Sequence, residues 1–444
     1  MSYTLNMSTR SIVKKLIPTA LFRVVEPYGH LGESVLMQTL NAYPARGLKV
    51  IGVTGTNGKT STCFLIQRML HEAGYKVGLM TTVGYGVGAD IKPQIQHMTT
   101  ASSGLLLKRI KSMRAQGMEW LVLETTSHGL AQHRVWGIPF DIAVMTNVTH
   151  EHLDYHRTFE RYRDAKRRLF KLANHNRKGL RAGVINAEDP SAKLFAADIA
   201  HPITYGIKQG DFRAEKISLK PNGVSYTAVY QDQQFQINCR LPGSFNVANS
   251  LAALCVGHLL GLSKSQIEQG IAALEGVEGR MTTIDEGQKF HVIVDFAHTP
   301  DSFEKLFTDL RPAVKGKLIA LFGSAGRRDE AKRAVQGKLA GQYADEVVIT
   351  EEDDRDIDGQ EIMLQIASGA EDAGKVKDKN LFLVHNREEA ISFAFSRANP
   401  GDTVLLLGKG HEKTIERADG AHPWNEIEVA RKALKKFKQG LIER

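Results

Sequence analysis

Cysteine is scarce: there are three in 444 residues, Cys63, Cys239 and Cys255, far apart and set among apolar neighbours. Neither a metal-ligand spacing nor a paired framework can be drawn from them, which excludes a disulfide-stapled chain and points to buried thiols in a reducing compartment. Long apolar runs are missing as well. None approaches the roughly 20 residues that a membrane span requires, and the N-terminus has no signal-peptide core, so a cytoplasmic protein without a transmembrane segment is expected. Solenoid repeats and low-complexity linkers are absent. The net charge of +9 is spread rather than blocked, so nucleic acid is not expected as a partner. The two denser basic stretches, Arg157 to Lys171 and the group Arg431, Lys432, Lys435, Lys436 and Lys438, read as solvated helix faces.

What is present suffices for two or three domains, each with its own core. From Leu48 to about Asn186 the short apolar strands LKVIGV, KVGLM, EWLVLE, DIAVMT and AGVIN alternate with helical patterns, which predicts a parallel sheet covered by helices. The segment from Asp211 to Arg240 alternates with period two on both sides of Pro221-Asn222-Gly223 and predicts an appended antiparallel hairpin. After a helical stretch, Asn249 to Leu274, βα alternation resumes with HVIVDFA, LIALFG, EVVIT, LFLVH and TVLLLG. The expected class is α/β: a central P-loop domain over residues 47–280, with a parallel sheet and the hairpin, then a Rossmann-like C-terminal domain over 281–444. Residues 1–46 read as one or two helices, with Ile12, Leu16 and Leu21 apolar among Lys14, Lys15 and Arg23. They would pack on the first domain or, as the sharper option, touch a membrane surface.

The most informative stretch is VIGVTGTNGKTST, Val50 to Thr62, an apolar strand that breaks into a Gly-rich loop and opens a helix. Gly55 and Gly58 allow the backbone around Thr56 and Asn57 to turn its N–H groups toward a phosphate, Lys59 adds a point charge, and the helix start at Thr60 and Ser61 adds its positive end. The Thr60 hydroxyl suits Mg²⁺. Leu65, Met69 and Ala73 share one stripe of that helix, with Gly74 placed to end it. The strict P-loop spacing wants Gly where Val53 stands. Glu124 ends the strand EWLVLE, at the side of a parallel sheet where ligands bind, and places a carboxylate near the loop. Thr125, Thr126, Ser127, His128, Gln132, His133 and Arg134 follow. A third strand end carries NVTHEHLDYH, with His150, Glu151, His152, Asp154 and His156; its spacing matches no closed zinc pattern, and a catalytic Mg²⁺ site with one imidazole fits better.

Taken in order, GTNGKTS, LETTSHGL, NVTHEHLDYH, YRDAKRRLF, LPGSFNVANSLAAL, GRM, VDFAHTPDS, GSAGRRDEAKR and GKGHE resemble the Mur ligase family over about residues 47–444. VDFAHTPDS and GKGHE resemble in particular the branch that adds the third residue of the peptidoglycan peptide. The resemblance implies an ATP-dependent ligase that joins the D-glutamyl carboxylate of a muramoyl-dipeptide to an amino acid, with meso-diaminopimelate expected, through an acyl-phosphate. It implies that Lys59 and Thr60 hold ATP phosphates and Mg²⁺, that Glu124 and His152 bind metal, and that Lys166 carries a carbamate able to support Mg²⁺ or the acyl-phosphate. Asn246 would contact adenine and Asp295 the ribose, with Arg280 and His298 near the nucleotide. Thr99, Thr100, Thr126, Gln132 and Arg134 would hold the acceptor; Arg328, Arg355, Gly408 and Glu412 would grip the amino acid, a guanidinium on its carboxylate and a carboxylate on its ammonium.

Two departures accompany the resemblance. Glu352, Asp353, Asp354 and Arg355 stand where diaminopimelate-adding members usually read Asp-Asn-Pro-Arg, and the family's N-terminal uridine-binding domain is missing or reduced to a helical stub. An acceptor without UDP, whether a lipid-linked muramoyl-peptide, a folate or another peptide, is therefore an alternative, as is a non-catalytic nucleotide-binding protein. A monomer is expected.

Overall fold

The structure, a computed structural model, describes residues 19–94, 99–220 and 223–440, with side chains described from residue 29 onward, 153 and 154 excepted. Ile12, Lys14, Lys15, Leu16, Pro221 and Asn222, and the side chains of Leu21, Arg23 and Asp154, lie outside these residues.

The first sheet has eleven strands: β1 (Lys49–Thr54), β2 (Val77–Met80), β3 (Gly84–Val87), β4 (Asp90–Pro93), β5 (Trp120–Glu124), β6 (Phe140–Met145), β7 (Ala182–Asn186), β8 (His201–Gly206), β9 (Phe212–Lys220), β10 (Gly223–Tyr230) and β11 (Gln233–Cys239). Their order is β11-β10-β9-β8-β7-β6-β1-β5-β2-β3-β4. From β9 back through β8, β7, β6, β1 and β5 to β2 the pairing is parallel, and both faces are covered. Along β5, Trp120 and Val122 join one core while Leu121 and Leu123 join the other, so the strand reads as a continuous apolar run rather than an alternating one.

The appended antiparallel part is larger than a hairpin. β9, β10 and β11 form a three-stranded meander continuous with the main sheet through β8. Its third strand, QQFQINC, buries only every second residue, Phe235, Ile237 and Cys239. The helix Phe245–Leu259, buried from Asn249 to Gly257, covers it, with Val247, Leu251 and Leu254 in the same core as Tyr226 and Phe235.

The second sheet comprises β12 (Thr282–Ile284), β13 (His291–Asp295), β14 (Leu318–Phe322), β15 (Glu346–Ile349), β16 (Leu381–Leu383) and β17 (Thr403–Leu407), in the order β12-β13-β17-β14-β15-β16. All pairs but β12–β13 are parallel. Leu405 and Leu407 face one core and Val404 and Leu406 the other. A helix begins at Pro300 because Thr299 and Ser302 form a reciprocal capping box and proline takes the first turn without losing a bonded N–H.

The helix Thr19–Leu40 lies along the helix Ser103–Ala115, with Ser34 Oγ 2.7 Å from Ser103 Oγ. No described helix is long and apolar enough to cross a membrane. The three cysteines are buried and free. Both basic stretches meet carboxylates: Arg167 pairs with Asp164 and Asp198, Arg431 with Glu286, and Lys432 and Lys436 with Glu388.

Candidate active site

β1, β2, β5 and β6 end at one edge of the first sheet, and the segments leaving them build the site. β1 runs into the turn of Gly55 to Gly58. Gly55 has φ +155° and Gly58 +81°; a Cβ at the first would meet Thr146 Oγ1 at 1.8 Å and at the second Asn249 Oδ1 at 2.3 Å, so only glycine fits either position. Asn147 pins the loop, its carbonyl accepting from the Thr56 N–H at 2.8 Å and its Oδ1 from the Asn57 N–H at 2.9 Å. Lys59 Nζ donates to the Thr56 carbonyl at 2.7 Å. Thr60 and Ser61 are buried in the first turn of the helix Lys59–Glu72, whose positive end faces the loop.

Glu124 is buried at the end of β5. It accepts from the Thr60 hydroxyl at 3.0 Å and from the Thr82 N–H at 2.9 Å. The Thr82 hydroxyl lies 3.1 Å from Glu124 Oε1 and 2.9 Å from Thr99 Oγ1. Thr100 donates to the Glu124 carbonyl at 3.2 Å and accepts from the Thr126 N–H at 2.9 Å. Arg134 donates to the Thr100 carbonyl at 2.7 Å and, from Nε, to Gln132 Oε1 at 2.9 Å. Unbroken contacts thus join the phosphate loop to all five residues that the resemblance assigns to the acceptor.

Lys166 approaches the loop from behind. It is buried on the helix Phe159–His175, donates to the Gly55 carbonyl at 2.5 Å and sits 4.3 Å from the centroid of the Tyr162 ring. Burial, reinforced by Lys59, pushes its amine well below the usual lysine range against the pull of Glu151, Asp189 and Glu124. The Tyr162 hydroxyl bonds Thr56 Oγ1 at 2.9 Å, and His152 lies on the same tyrosine with ring centroids 6.1 Å apart. His152 has φ +56° and also packs its ring on His128 at 4.7 Å.

The second sheet supplies the opposite wall. Arg280 lies half-buried over the Phe296 ring and reaches Thr60 Oγ1 at 3.5 Å. Asp295 accepts the N–H groups of Met281 and Ala297, both at 2.7 Å. Burial raises its carboxyl pKa while Arg280 opposes the rise. Burial, with Lys332 nearby, pulls His298 down to about 4, so it is neutral at pH 7. Asn246 is buried beside the loop's support: it donates to the Pro242 carbonyl at 2.7 Å and accepts from Asn249, the residue that closes over Gly58.

The residues expected to grip an amino acid cluster at the carboxyl ends of β15 and β17, Arg328 standing exposed after β14. Arg355 has φ +58°, and its Nε donates to Glu416 at 2.6 Å. Glu412 pairs at 2.7 Å with the buried Lys409, which also donates to Asp353 at 2.8 Å. Gly408, at φ +98°, leaves room for Glu352, whose Oε2 a Cβ would meet at 2.6 Å. Glu351, Asp354 and His385 also converge, but both Glu351 oxygens accept from Arg417, at 2.9 and 2.8 Å, which compensates that charge without a metal ion.

Thr82, Tyr162, Asn249 and Asp301 went unread in the sequence. Thr82 follows a strand end just as Glu124 does, and Tyr162 stands one helical turn before Lys166, so both carried a signal. Asp301, which receives a hydrogen bond from the Asn57 side chain across the two sheets, and Asn249 carried none.

Comparison with known proteins agrees with this geometry. The model of the Mur ligase middle domain matches residues 53–257, and that of the Mur ligase glutamate ligase domain matches residues 279–410. A UDP-N-acetylmuramyl-tripeptide synthetase of Roseiflexus sp. (strain RS-1) is 41% identical over 96% of this chain and 85% of its own. The chain belongs to the Mur ligase family. A UDP-N-acetylmuramoyl-L-alanyl-D-glutamate–2,6-diaminopimelate ligase of Geobacillus thermodenitrificans is 38% identical over 93% of this chain and 84% of its own. A solved structure of a ligase of the same name aligns with a TM-score of 0.63 at 30% identity, covering 93% of this chain and 83% of that one. As a Mur ligase the protein is an ATP-dependent enzyme that forms amide bonds, and Arg280 from the second sheet reaches Thr60 beside the Gly55–Gly58 loop of the first.

Proposed function

We propose that this Mur ligase joins an amino acid, meso-diaminopimelate, to the D-glutamyl carboxylate of a UDP-linked muramoyl-dipeptide in peptidoglycan precursor synthesis. One observation supports the reading: contacts run from Thr60 through Glu124 and Thr82 to Thr99, and from Glu124 through Thr100 to Thr126 and Arg134, so the residues proposed for phosphate and for the acceptor are joined by hydrogen bonds. The acceptor carboxylate attacks the γ-phosphorus of ATP and displaces ADP, forming an acyl-phosphate. The amine of the amino acid then adds to the acyl carbon, and collapse of the tetrahedral intermediate expels phosphate and a proton. Lys59 and the helix N-terminus neutralise phosphate charge, and the hydroxyls and Arg134 orient the carboxylate. Arg328, Arg355, Gly408 and Glu412 would receive the amino acid.

Thr60, Glu124 and His152, with Lys166 as a carbamate, would hold Mg²⁺; the oxygen donors Thr60 and Glu124 are of the kind this ion takes, and it would offset phosphate charge. The low amine pKa of Lys166 fits carbamylation, since the neutral amine is the form that adds CO₂. The assignment is tested by phosphate release across a panel of amino acids with nucleotide-linked and nucleotide-free muramoyl-dipeptides. Release that needs both diaminopimelate and the UDP-linked acceptor is expected. Equal rates on an acceptor without UDP would overturn the carrier, and a higher rate with another amino acid would overturn the donor.

A further inference from the structure

Over its last turns the helix Thr19–Leu40 sets three polar residues and Met37 toward the protein, and three large apolar residues toward water beside the exposed Glu33 and Thr39. His30, Ser34 and Gln38 are buried, Ser34 against Ser103 and Gln38 donating to the Trp136 carbonyl at 2.7 Å. Outward stand Val35, Leu36 and Leu40, with Tyr43 in the turn that follows, 37%, 54%, 69% and 37% exposed. Leu36 and Leu40 are one turn apart on one stripe, the inverse of a water-facing helix. Among the described residues twelve large hydrophobic side chains are exposed, and four of them fall in these nine positions. Such a concentration marks a contact surface.

The rim of this face is basic. Arg46 lies over the Tyr43 ring at 5.7 Å, and Arg114 donates to the Pro44 and Arg46 carbonyls, both at 2.9 Å. The neighbouring helix, fixed at Ser103 and again at Arg114, exposes Lys108 and Lys111 between those two points. From Gly29 to Gly47 and along Ser103–Ala115 the only carboxylate is Glu33.

We propose that this face docks on an anionic phospholipid bilayer, the apolar stripe entering the headgroup boundary and Arg46, Lys108, Lys111 and Arg114 meeting lipid phosphates. A second copy of the chain is the poorer occupant, since it would set one basic rim against another. The face is separate from the residues that handle ATP, so docking would hold the ligase at a membrane surface without touching its chemistry.

Flotation of the full chain with phosphatidylcholine vesicles, with and without about 40% phosphatidylglycerol, tests the idea. Each basic side chain near such a surface adds about fivefold to partitioning, so more than tenfold stronger recovery on the anionic vesicles is expected, weakening in high salt. L36D/L40D and, separately, K108E/K111E should each return recovery to the neutral-vesicle level, with phosphate release in solution and melting temperature unchanged. Equal recovery on both vesicle types would overturn the proposal. So would undiminished binding of L36D/L40D, which would assign adsorption to the net charge elsewhere. A dimer in light scattering that L36D/L40D abolishes would assign the face to self-association.

Discussion

Lys166 illustrates how a residue's chemistry comes from its surroundings. In the sequence it is one cation among several on a basic helix; in the fold it is the one turned inward, beneath Gly55 and against Tyr162. Desolvation and the nearby Lys59 make its neutral form accessible. Lys166→Ala is expected to lower turnover by more than about a hundredfold, the scale of losing one positioned electrostatic group, with partial rescue by a small carboxylic acid. Intact-mass analysis under CO₂ should show a 13C-labelled carbamate on the wild type and none on the variant. Full activity of the variant would remove Lys166 from the mechanism. Glu124 was legible because a strand ended on a carboxylate; His152 was legible only as one of several polar residues, and its place against Tyr162 and His128 needed the fold.

Among the elements, strands buried on both faces were the easiest to read, since their apolar runs have no other stable setting. Short strands at an edge or beside one, such as β3, β4 and β12, were not, because a few half-exposed residues leave no period to recognise. The C-terminal helix Glu426–Lys438 shows a further limit. Its first residue, Glu426, reads as an ordinary helix-start acid yet is fully buried against Arg387, at 2.7 Å, with the Trp424 indole donating to it at 2.8 Å. Arg387 also donates to the Leu407 carbonyl at 2.7 Å, tying two helices to the central strand β17. Removing one partner leaves an uncompensated buried charge, so Glu426→Ala should cost about 3–5 kcal/mol in urea unfolding. The double substitution R387M/E426L should cost less; a loss below about 1 kcal/mol for the single variant would mean that the pair contributes little.

For the whole molecule, the site exists only where the two sheets face each other. Arg280 and Asn57 cross between them to Thr60 and Asp301, and Ser244 donates through both N–H and hydroxyl to Asp309, at 2.6 Å each. Groups buried in this crevice make stability depend on pH. His298 titrates near 4 when folded and near 6.5 when unfolded, so between these values the unfolded chain holds a proton that the folded one refuses. The contribution of His298 is whole above about 6.5, falls as pH drops toward 4, and changes no further below; burial of His411 acts in the same direction. His298→Asn should therefore lose less stability than the wild type between pH 7.5 and 5, measured by urea midpoints. An identical loss in both would show that His298 carries no such linkage.

The sequence by itself determined the α/β class, the glycine-bounded loop after β1 and the ligase family, because strand burial and close backbone turns constrain residue type over short spans. Tertiary structure alone decided which polar groups are committed: that Lys409 answers Asp353, that Arg355 answers Glu416, that Asn249 closes over Gly58, and that the last turns of the helix Thr19–Leu40 turn Val35, Leu36 and Leu40 to water. Those pairings join residues tens to hundreds of positions apart or depend on which face a neighbour covers, and no local spacing records either.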